Sequence, residues 1–139
     1  MFNIAIVRSS YYDNLVSSME KSAKDVLLRA DIPEKKISVT TVPGSFEIPL
    51  ACRKIAKEGK TDGIIALGII IQGETHHAEE SARACTDGLM KTQLETGIPI
   101  AHEVLFVNSK KQAEARSCGK KNKGEEAAHT LLTMISIMR

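Results

Sequence analysis

Apolar and β-branched residues are concentrated in four runs along the 139-residue chain, and segments with helical spacing lie between and after them. The third run contains Ile64–Leu67 and Ile69–Ile71, interrupted only by Gly68, so it predicts a strand that is buried on both faces, as in a parallel sheet. The four predicted strands are Phe2–Val7, Lys36–Val42, Gly63–Ile71 and Ile98–Val107.

Helical patterns alternate with these strands. Apolar residues recur at helical spacing from Leu15 to Ala30, with charged residues on the opposite face. Ser45 is a candidate cap for a second helix that runs to Gly59, and a third helix from about Thr75 would end at Gly97. Two more helical segments begin near residues 109 and 124. This alternation predicts an α/β fold: one domain over residues 1–139, in three α/β/α layers around a four-stranded parallel sheet, flavodoxin-like in class.

The composition is that of an ordinary globular protein, with 42% hydrophobic and 26% charged residues. The net charge of +2 gives no general argument for nucleic acid. An odd number of cysteines without a CxxC pair indicates reduced thiols. Neither a leader-like N-terminus nor an apolar run of about 20 residues is visible, so we expect a cytoplasmic protein without a membrane segment.

Two turns carry polar groups just beyond predicted strands, Val42–Glu47 and Gly68–His77. Ligands of open α/β sheets bind outside the carboxyl ends of the strands, so these turns predict a binding site. In the first turn, Glu47 is the only carboxylate among apolar neighbours, where it either caps helical N–H groups or accepts hydrogen bonds from a polyol.

The second turn precedes a helix whose unpaired N–H groups and positive dipole end favour an anion. Thr75 adds a hydroxyl, and His76 and His77 are candidate proton carriers. The alternative is that Thr75 only caps the helix and both histidines are surface residues. His76 and Glu80 are one helical turn apart, but a pair without a further ligand is weak support for a metal site, so we expect none.

A basic stretch precedes the last helix, and it contains one acidic residue, Glu114. Arg116 has the planar fork that suits a phosphate group, and Lys123 precedes Gly124 in a turn that would aim both the amine and helix N–H groups at one point. The alternative is a solvated face. Nucleic acid binding is disfavoured because the stretch contains no aromatic residue for base stacking.

Together these turns resemble the lumazine synthase family of riboflavin biosynthesis, in order and over nearly the whole chain. The segments that carry the resemblance are Val42–Pro49, Leu67–Gly68 with Gly73–His77, Glu95–Pro99 and Asn122–Ala128. The resemblance implies condensation of 5-amino-6-(ribitylamino)uracil with 3,4-dihydroxy-2-butanone 4-phosphate. The products would be 6,7-dimethyl-8-ribityllumazine, phosphate and water, and no cofactor would be required.

The resemblance also implies residue roles. His77 would transfer protons, and Arg116 would bind the phosphate, assisted by Thr75 and the backbone of Gly73 and Glu74. The pyrimidine and ribityl chain would be held by Ser45, Phe46 and Glu47, with Tyr11 as the stacking aromatic and Lys123 as a nearby basic residue.

The chain departs from the family pattern at three places. The usual Arg-Phe-Asn reads Ser10-Tyr11-Tyr12, so either tyrosine is a candidate for stacking. The loop Ser117–Lys121 is one residue shorter than usual. His102 occupies a position that is often an apolar aromatic from the neighbouring subunit, where it would either tune ring binding or line an interface.

Family sites lie between subunits of a pentamer, so a homopentamer is expected, with a shell of twelve pentamers as the larger alternative. Small residues of the third helix, such as Ala78, Ala82 and Ala84, would suit packing around a five-fold axis. Two other functions remain open from the sequence: a non-catalytic flavin- or lumazine-binding carrier or shell protein, and an unrelated flavodoxin-like binding module.

Overall fold

The computed structural model describes residues 2–139, in which four strands alternate with five helices. All strands are parallel and lie in the order β2-β1-β3-β4. This is the start of the flavodoxin-like strand order. The elements are β1 (Ile4–Ser9), α1 (Asp13–Arg29), β2 (Ile37–Val42), α2 (Ile48–Glu58), β3 (Gly63–Ile71), α3 (His77–Thr96), β4 (Ile100–Val107), α4 (Lys110–Ser117) and α5 (Lys123–Met138).

Helices cover both faces of the sheet and form two cores. One core contains Met19 and Leu27 of α1, Ala113 of α4 and Leu131 of α5. The other core lies against α2 and α3 and contains Ile48, Cys52, Cys85 and Leu89. The predicted three-layer α/β/α fold with a four-stranded parallel sheet is therefore confirmed.

Two predicted helix ends are confirmed by backbone conformation. Gly59 and Gly97 follow α2 and α3 with φ values of 75° and 73°, the left-handed region in which a residue without Cβ is favoured. The predicted helix starts were less accurate. Ser45 does not cap α2, because residues 45–47 form a 3₁₀ turn and the buried Ser45 side chain is directed at the sheet. Helix α3 starts at His77 rather than near Thr75.

The first strand lies two residues further along the chain than predicted, at Ile4–Ser9 instead of Phe2–Val7. Arg8 is buried within it, and its guanidinium pairs with the carboxylates of Asp13, at the start of α1, and of Glu20, further along the same helix. A buried charge is tolerated when it is paired and hydrogen-bonded. The fourth strand likewise starts two residues later than predicted, at Ile100.

All three cysteines are unpaired thiols. Burial raises the pKa of Cys52 and of Cys85 to about 12, so both thiols stay protonated and unreactive at neutral pH. None of the helices in residues 2–139 is both long and apolar enough to cross a membrane.

Candidate active site

A cavity of about 660 Å³ opens at the carboxyl ends of the strands, beside β1 and β3. In the sheet, β1 has β2 on one side and β3 on the other, so the strand order reverses at β1. Ligands of such sheets bind at this reversal point. We call it the switch-point cavity. It is lined by Tyr11, Gly44, Ser45, Phe46, Glu47, Ile69, Ile70, Ile71, His77, Ala78, Glu80, Ser81 and Ala84.

Gly68 of β3 lies beneath the Ser45 turn, next to this cavity. A Cβ on Gly68 would lie 2.9 Å from Ser45 Oγ and 3.1 Å from Ser9 Oγ. Ser9 Oγ is buried and has no hydrogen-bond partner within residues 2–139. The turn after β2 can therefore pack on the sheet only because residue 68 is a glycine.

We expect Gly68→Ala to displace Ser45 and destabilise the protein by about 1–3 kcal/mol, the usual cost of overpacking a filled interior. Thermal denaturation followed by circular dichroism measures this loss. Gly73→Ala is the matched control for stability, because no atom lies within 4 Å of a Cβ placed there. Equal melting temperatures for the two variants would show that the contact at Gly68 is not tight.

Two aromatic side chains line the mouth of the switch-point cavity. The residues Tyr11 and Phe46 are 68% and 65% exposed, so each offers a largely free ring face. Tyr12 does not line this cavity. It precedes α1 with φ 52°, a left-handed conformation that is uncommon for a bulky residue. The position of Tyr11 makes it the better candidate for stacking on a flat ring.

The loop before α3 presents backbone donors at the same edge of the sheet. Within residues 2–139 the N–H groups of Gly73, Glu74 and Thr75 donate no hydrogen bond, and all three residues are exposed. Thr75 Oγ1 accepts a hydrogen bond from the N–H of His77 at 3.3 Å. His77 is exposed and is the first residue of α3, so its ring is reachable from the cavity that it lines.

A second cavity of about 500 Å³ lies between α4 and α5, and we call it the basic cavity. Its lining residues are Ala115, Arg116, Lys120, Lys121, Asn122, Lys123, Glu125, Glu126 and His129. The predicted turn is formed here: Asn122 Oδ1 accepts a hydrogen bond from the N–H of Gly124 at 2.8 Å. A side chain on Gly124 would overlap the backbone of Met19, so glycine is required for α5 to pack against α1.

The sequence profile of the 6,7-dimethyl-8-ribityllumazine synthase family matches residues 1–139. The chain belongs to this family. The enzyme of that name from Halorhodospira halophila is 39% identical over 136 residues, which is 97% of this chain and 87% of the relative. The one from Xanthomonas euvesicatoria is 40% identical over 135 residues, or 96% and 88%. A designed Rossmann-fold protein matches with a TM-score of 0.47 and 17% identity over 81% of this chain and 91% of its own.

The structure divides the expected lumazine synthase site residues into separate groups. Those for the pyrimidine and the proton transfer share the switch-point cavity: Tyr11, Ser45, Phe46, Glu47 and His77. The loop Gly73–Thr75 adjoins it at the start of α3. Arg116 and Lys123 line the basic cavity instead. A single copy of the chain therefore does not place Arg116 and His77 in a common cavity.

His102 lies in β4 and lines neither cavity. Its Nδ1 accepts a hydrogen bond from the N–H of Val104 at 3.1 Å, and its Nε2 is 2.8 Å from Thr86 Oγ1 of α3. Burial lowers its pKa, so the ring is neutral and the hydrogen-bond pattern assigns its proton to Nε2, which donates to Thr86. Its ring is thus held on the α3 side of the edge strand.

One ionisable residue of β4 was not predicted from the sequence. Glu103 is half-buried in β4, where burial and the carboxylate of Glu126 raise its pKa to about 7, against the opposing effect of Lys123. The sequence pattern could have indicated it, since Glu103 is the only carboxylate in the apolar run of β4. Residues 2–139 contain no cluster of three or more His, Cys, Asp or Glu side chains placed to hold a metal ion.

Proposed function

We propose that this chain condenses 5-amino-6-(ribitylamino)uracil with 3,4-dihydroxy-2-butanone 4-phosphate to give 6,7-dimethyl-8-ribityllumazine, phosphate and water, the penultimate step of riboflavin biosynthesis. The observation that carries this proposal is the family match over residues 1–139, since it spans both cavities and all of the expected site residues. The chain acts as one catalytic domain in the cytoplasm, a location that its three unpaired thiols support.

The switch-point cavity provides the pyrimidine site. Tyr11 stacks on the heterocycle, for which its exposed ring is suited. Ser45 and Phe46 contact the ring from the turn after β2, and the Glu47 carboxylate accepts hydrogen bonds from ribityl hydroxyls. The cavity volume of about 660 Å³ lies within the range of small-molecule sites.

The reaction consists of imine formation, phosphate loss and ring closure, and each step requires proton transfer. His77 is the side chain we assign to it, because the ring is exposed and borders the cavity. Much of the rate would come from holding the two substrates in register. These are acid–base and proximity effects, so we propose no cofactor for them.

The phosphate site is built from two subunits in our proposal. Arg116 and Lys123 supply positive charge, and the loop Gly73–Thr75 supplies free N–H groups, but the two groups lie at different places on one subunit. A ring of subunits with a heterologous interface brings the basic cavity of one copy against the α3 loop of the next. His102, which is held on the α3 side of β4, would then face the switch-point cavity of the neighbouring copy.

Exposed apolar side chains on α2 and α3 support such an assembly. The side chains of Leu50, Met90 and Leu94 are 77%, 51% and 76% exposed, and burial of this apolar surface in an interface would favour assembly. We propose a homopentamer, with a shell of pentamers as the larger form. Light scattering of the native protein tests this, and a monomer would contradict it.

The function is tested by direct turnover. Purified protein is mixed with both substrates, and lumazine absorbance and fluorescence are followed above the spontaneous background. A saturable rise proportional to protein concentration supports the synthase. Tight binding of the ribitylaminouracil without turnover would instead favour a non-catalytic lumazine or flavin carrier, and the absence of both would reject the proposed substrates.

A further inference from the structure

Arg8 joins the two ends of the loop that carries Tyr11. This loop, residues 9–13, connects β1 to α1, and we call it the tyrosine loop. Arg8 Nη2 donates one hydrogen bond to Ser9 O at 3.0 Å and another to Asp13 Oδ1. Arg8 Nε donates a further bond to Ser9 O at 3.2 Å. A single guanidinium therefore fixes where the loop begins and where it ends.

The remaining donors of this guanidinium are bound to α1. Arg8 Nη1 donates to Ser17 Oγ at 2.9 Å and to Glu20 Oε1 at 3.2 Å. The residue is only 5% exposed and lies on the same face of β1 as Ile6, which belongs to the core beneath α1. All five N–H donors of the planar guanidinium are thus used, so its position and orientation are fixed.

Tyr11 depends on its neighbours for its position. Its own backbone makes no hydrogen bond within residues 2–139, although the residue lines the switch-point cavity. The preceding residue, Ser10, is bonded to the turn after β2, through its N–H to Val42 O at 2.8 Å and its hydroxyl to Pro43 O at 3.1 Å. The loop before Tyr11 is therefore fixed by β2, and the part after it has to be fixed by α1.

The residue after Tyr11 is held in a costly conformation. Tyr12 has a φ of 52°, and a bulky side chain keeps such a left-handed backbone only where the surrounding contacts enforce it. The bond from Arg8 to Asp13 lies directly beyond Tyr12, at the first residue of α1. The rings of Tyr11 and Tyr12 lie 5.9 Å apart, so a change at Tyr12 would be transmitted to the ring at the cavity.

We propose that Arg8 is a positioning residue for the pyrimidine substrate. Through Ser9 and Asp13 it holds Tyr12 in its left-handed conformation and so keeps the ring of Tyr11 at the switch-point cavity. This inference rests on the proposed function, in which Tyr11 stacks on the heterocycle. Without the contact to Asp13, the substrate would have to order the loop itself, and ordering the backbone of one residue weakens binding by ~5- to 30-fold.

The competing explanation is that Arg8 only stabilises α1, and its two carboxylate partners separate the explanations. Asp13→Ala removes the partner at the end of the tyrosine loop. Glu20→Ala removes the partner further along α1 and leaves the bonds to Ser9 and Asp13 in place. The Glu20 side chain is 19% exposed and that of Asp13 is 65% exposed, so Glu20→Ala should lower the melting temperature at least as much.

The first measurement needs no ligand. The chain contains two tyrosines and no tryptophan, so its intrinsic tyrosine fluorescence arises from the tyrosine loop alone. Tyr12→Phe leaves Tyr11 as the single reporter. In this background we expect Asp13→Ala to lower the fluorescence anisotropy of Tyr11, because the loop is released, and Glu20→Ala to leave it unchanged. Arg8→Met, which keeps the apolar stem, should lower the anisotropy as Asp13→Ala does.

The second measurement is calorimetric titration of the ribitylaminouracil into the native full-length protein. Asp13→Ala and Arg8→Met should each bind it ~5- to 30-fold more weakly, the range that ordering one residue gives. Glu20→Ala should bind it like the wild type. In a Tyr11→Ala background, Asp13→Ala should have no further effect, because it acts only through the missing ring.

Three results would overturn the role of Arg8. They are wild-type anisotropy in Asp13→Ala, an affinity loss in Glu20→Ala as large as that in Asp13→Ala, and additive losses in the double variant Tyr11→Ala with Asp13→Ala. Unchanged affinity in Tyr11→Ala alone would instead be a failure of the proposed pyrimidine site. The anisotropy would still decide in that case whether Arg8 fixes the loop.

Discussion

Arg116→Ala is expected to weaken use of the butanone phosphate by roughly 30- to 1000-fold while binding of the ribitylaminouracil stays unchanged. A charge-assisted, bidentate contact to phosphate accounts for about 2–4 kcal/mol, and tenfold in affinity corresponds to about 1.4 kcal/mol. Arg116 lines the basic cavity and does not line the switch-point cavity, so the loss should be confined to the butanone phosphate. Steady-state kinetics with each substrate varied in turn measures the split.

Lys111→Ala is the matched control, because it removes the same charge from the same helix at an exposed position outside the basic cavity. It should leave both substrates unaffected. Arg116→Lys should fall between the wild type and alanine, since it keeps the charge but loses the planar fork. Equal losses for both substrates in Arg116→Ala would refute its assignment to the phosphate.

His77→Ala is expected to lower the turnover number by about 10²–10⁴-fold, the usual contribution of one positioned proton-transfer group. Substrate affinities should change little, because His77 is an exposed residue among the many that line the switch-point cavity. Presteady-state mixing of the two substrates with excess protein measures the chemical step directly. Added imidazole should recover part of the rate, which a purely structural role for the ring would not allow.

The neighbouring histidine offers a control of the same residue type. The side chain of His76 is 90% exposed, and the residue does not line the switch-point cavity. His76→Ala should therefore retain wild-type turnover. If His76→Ala lost the rate and His77→Ala did not, the proton transfer would have been assigned to the wrong ring.

The sequence predicted the strand bounds correctly where the apolar pattern was unbroken. The bounds of β3 were predicted as Gly63–Ile71 and are the same in the structure. The predicted bounds of β1 were two residues too early, and its end was missed because Arg8 and Ser9 are polar yet buried. Arg8 can be buried because Asp13 and Glu20 of α1 neutralise it, and local periodicity contains no information about that contact.

The site was predictable at the level of turns and only partly at the level of side chains. Placing Ser45, Glu47 and His77 at one edge of the sheet follows from the rule for parallel strands, and all three line one cavity. Ser45 was wrongly taken as a helix cap, because its contact with the backbone at Gly68 is between distant segments. The sequence likewise could not show that Arg116 and His77 line different cavities, because this depends on how α4 packs against the sheet.

The most direct test of the account is complementation between His77→Ala and Arg116→Ala subunits. Each variant alone should be nearly inactive, because every site lacks one of the two side chains. When the two are unfolded, mixed in equal amounts and refolded together, a site shared between neighbours in a ring regains both side chains in about one quarter of the interfaces. The account predicts that turnover returns to about a quarter of the wild-type value, whereas a mixture no more active than its components would contradict a site built from two subunits.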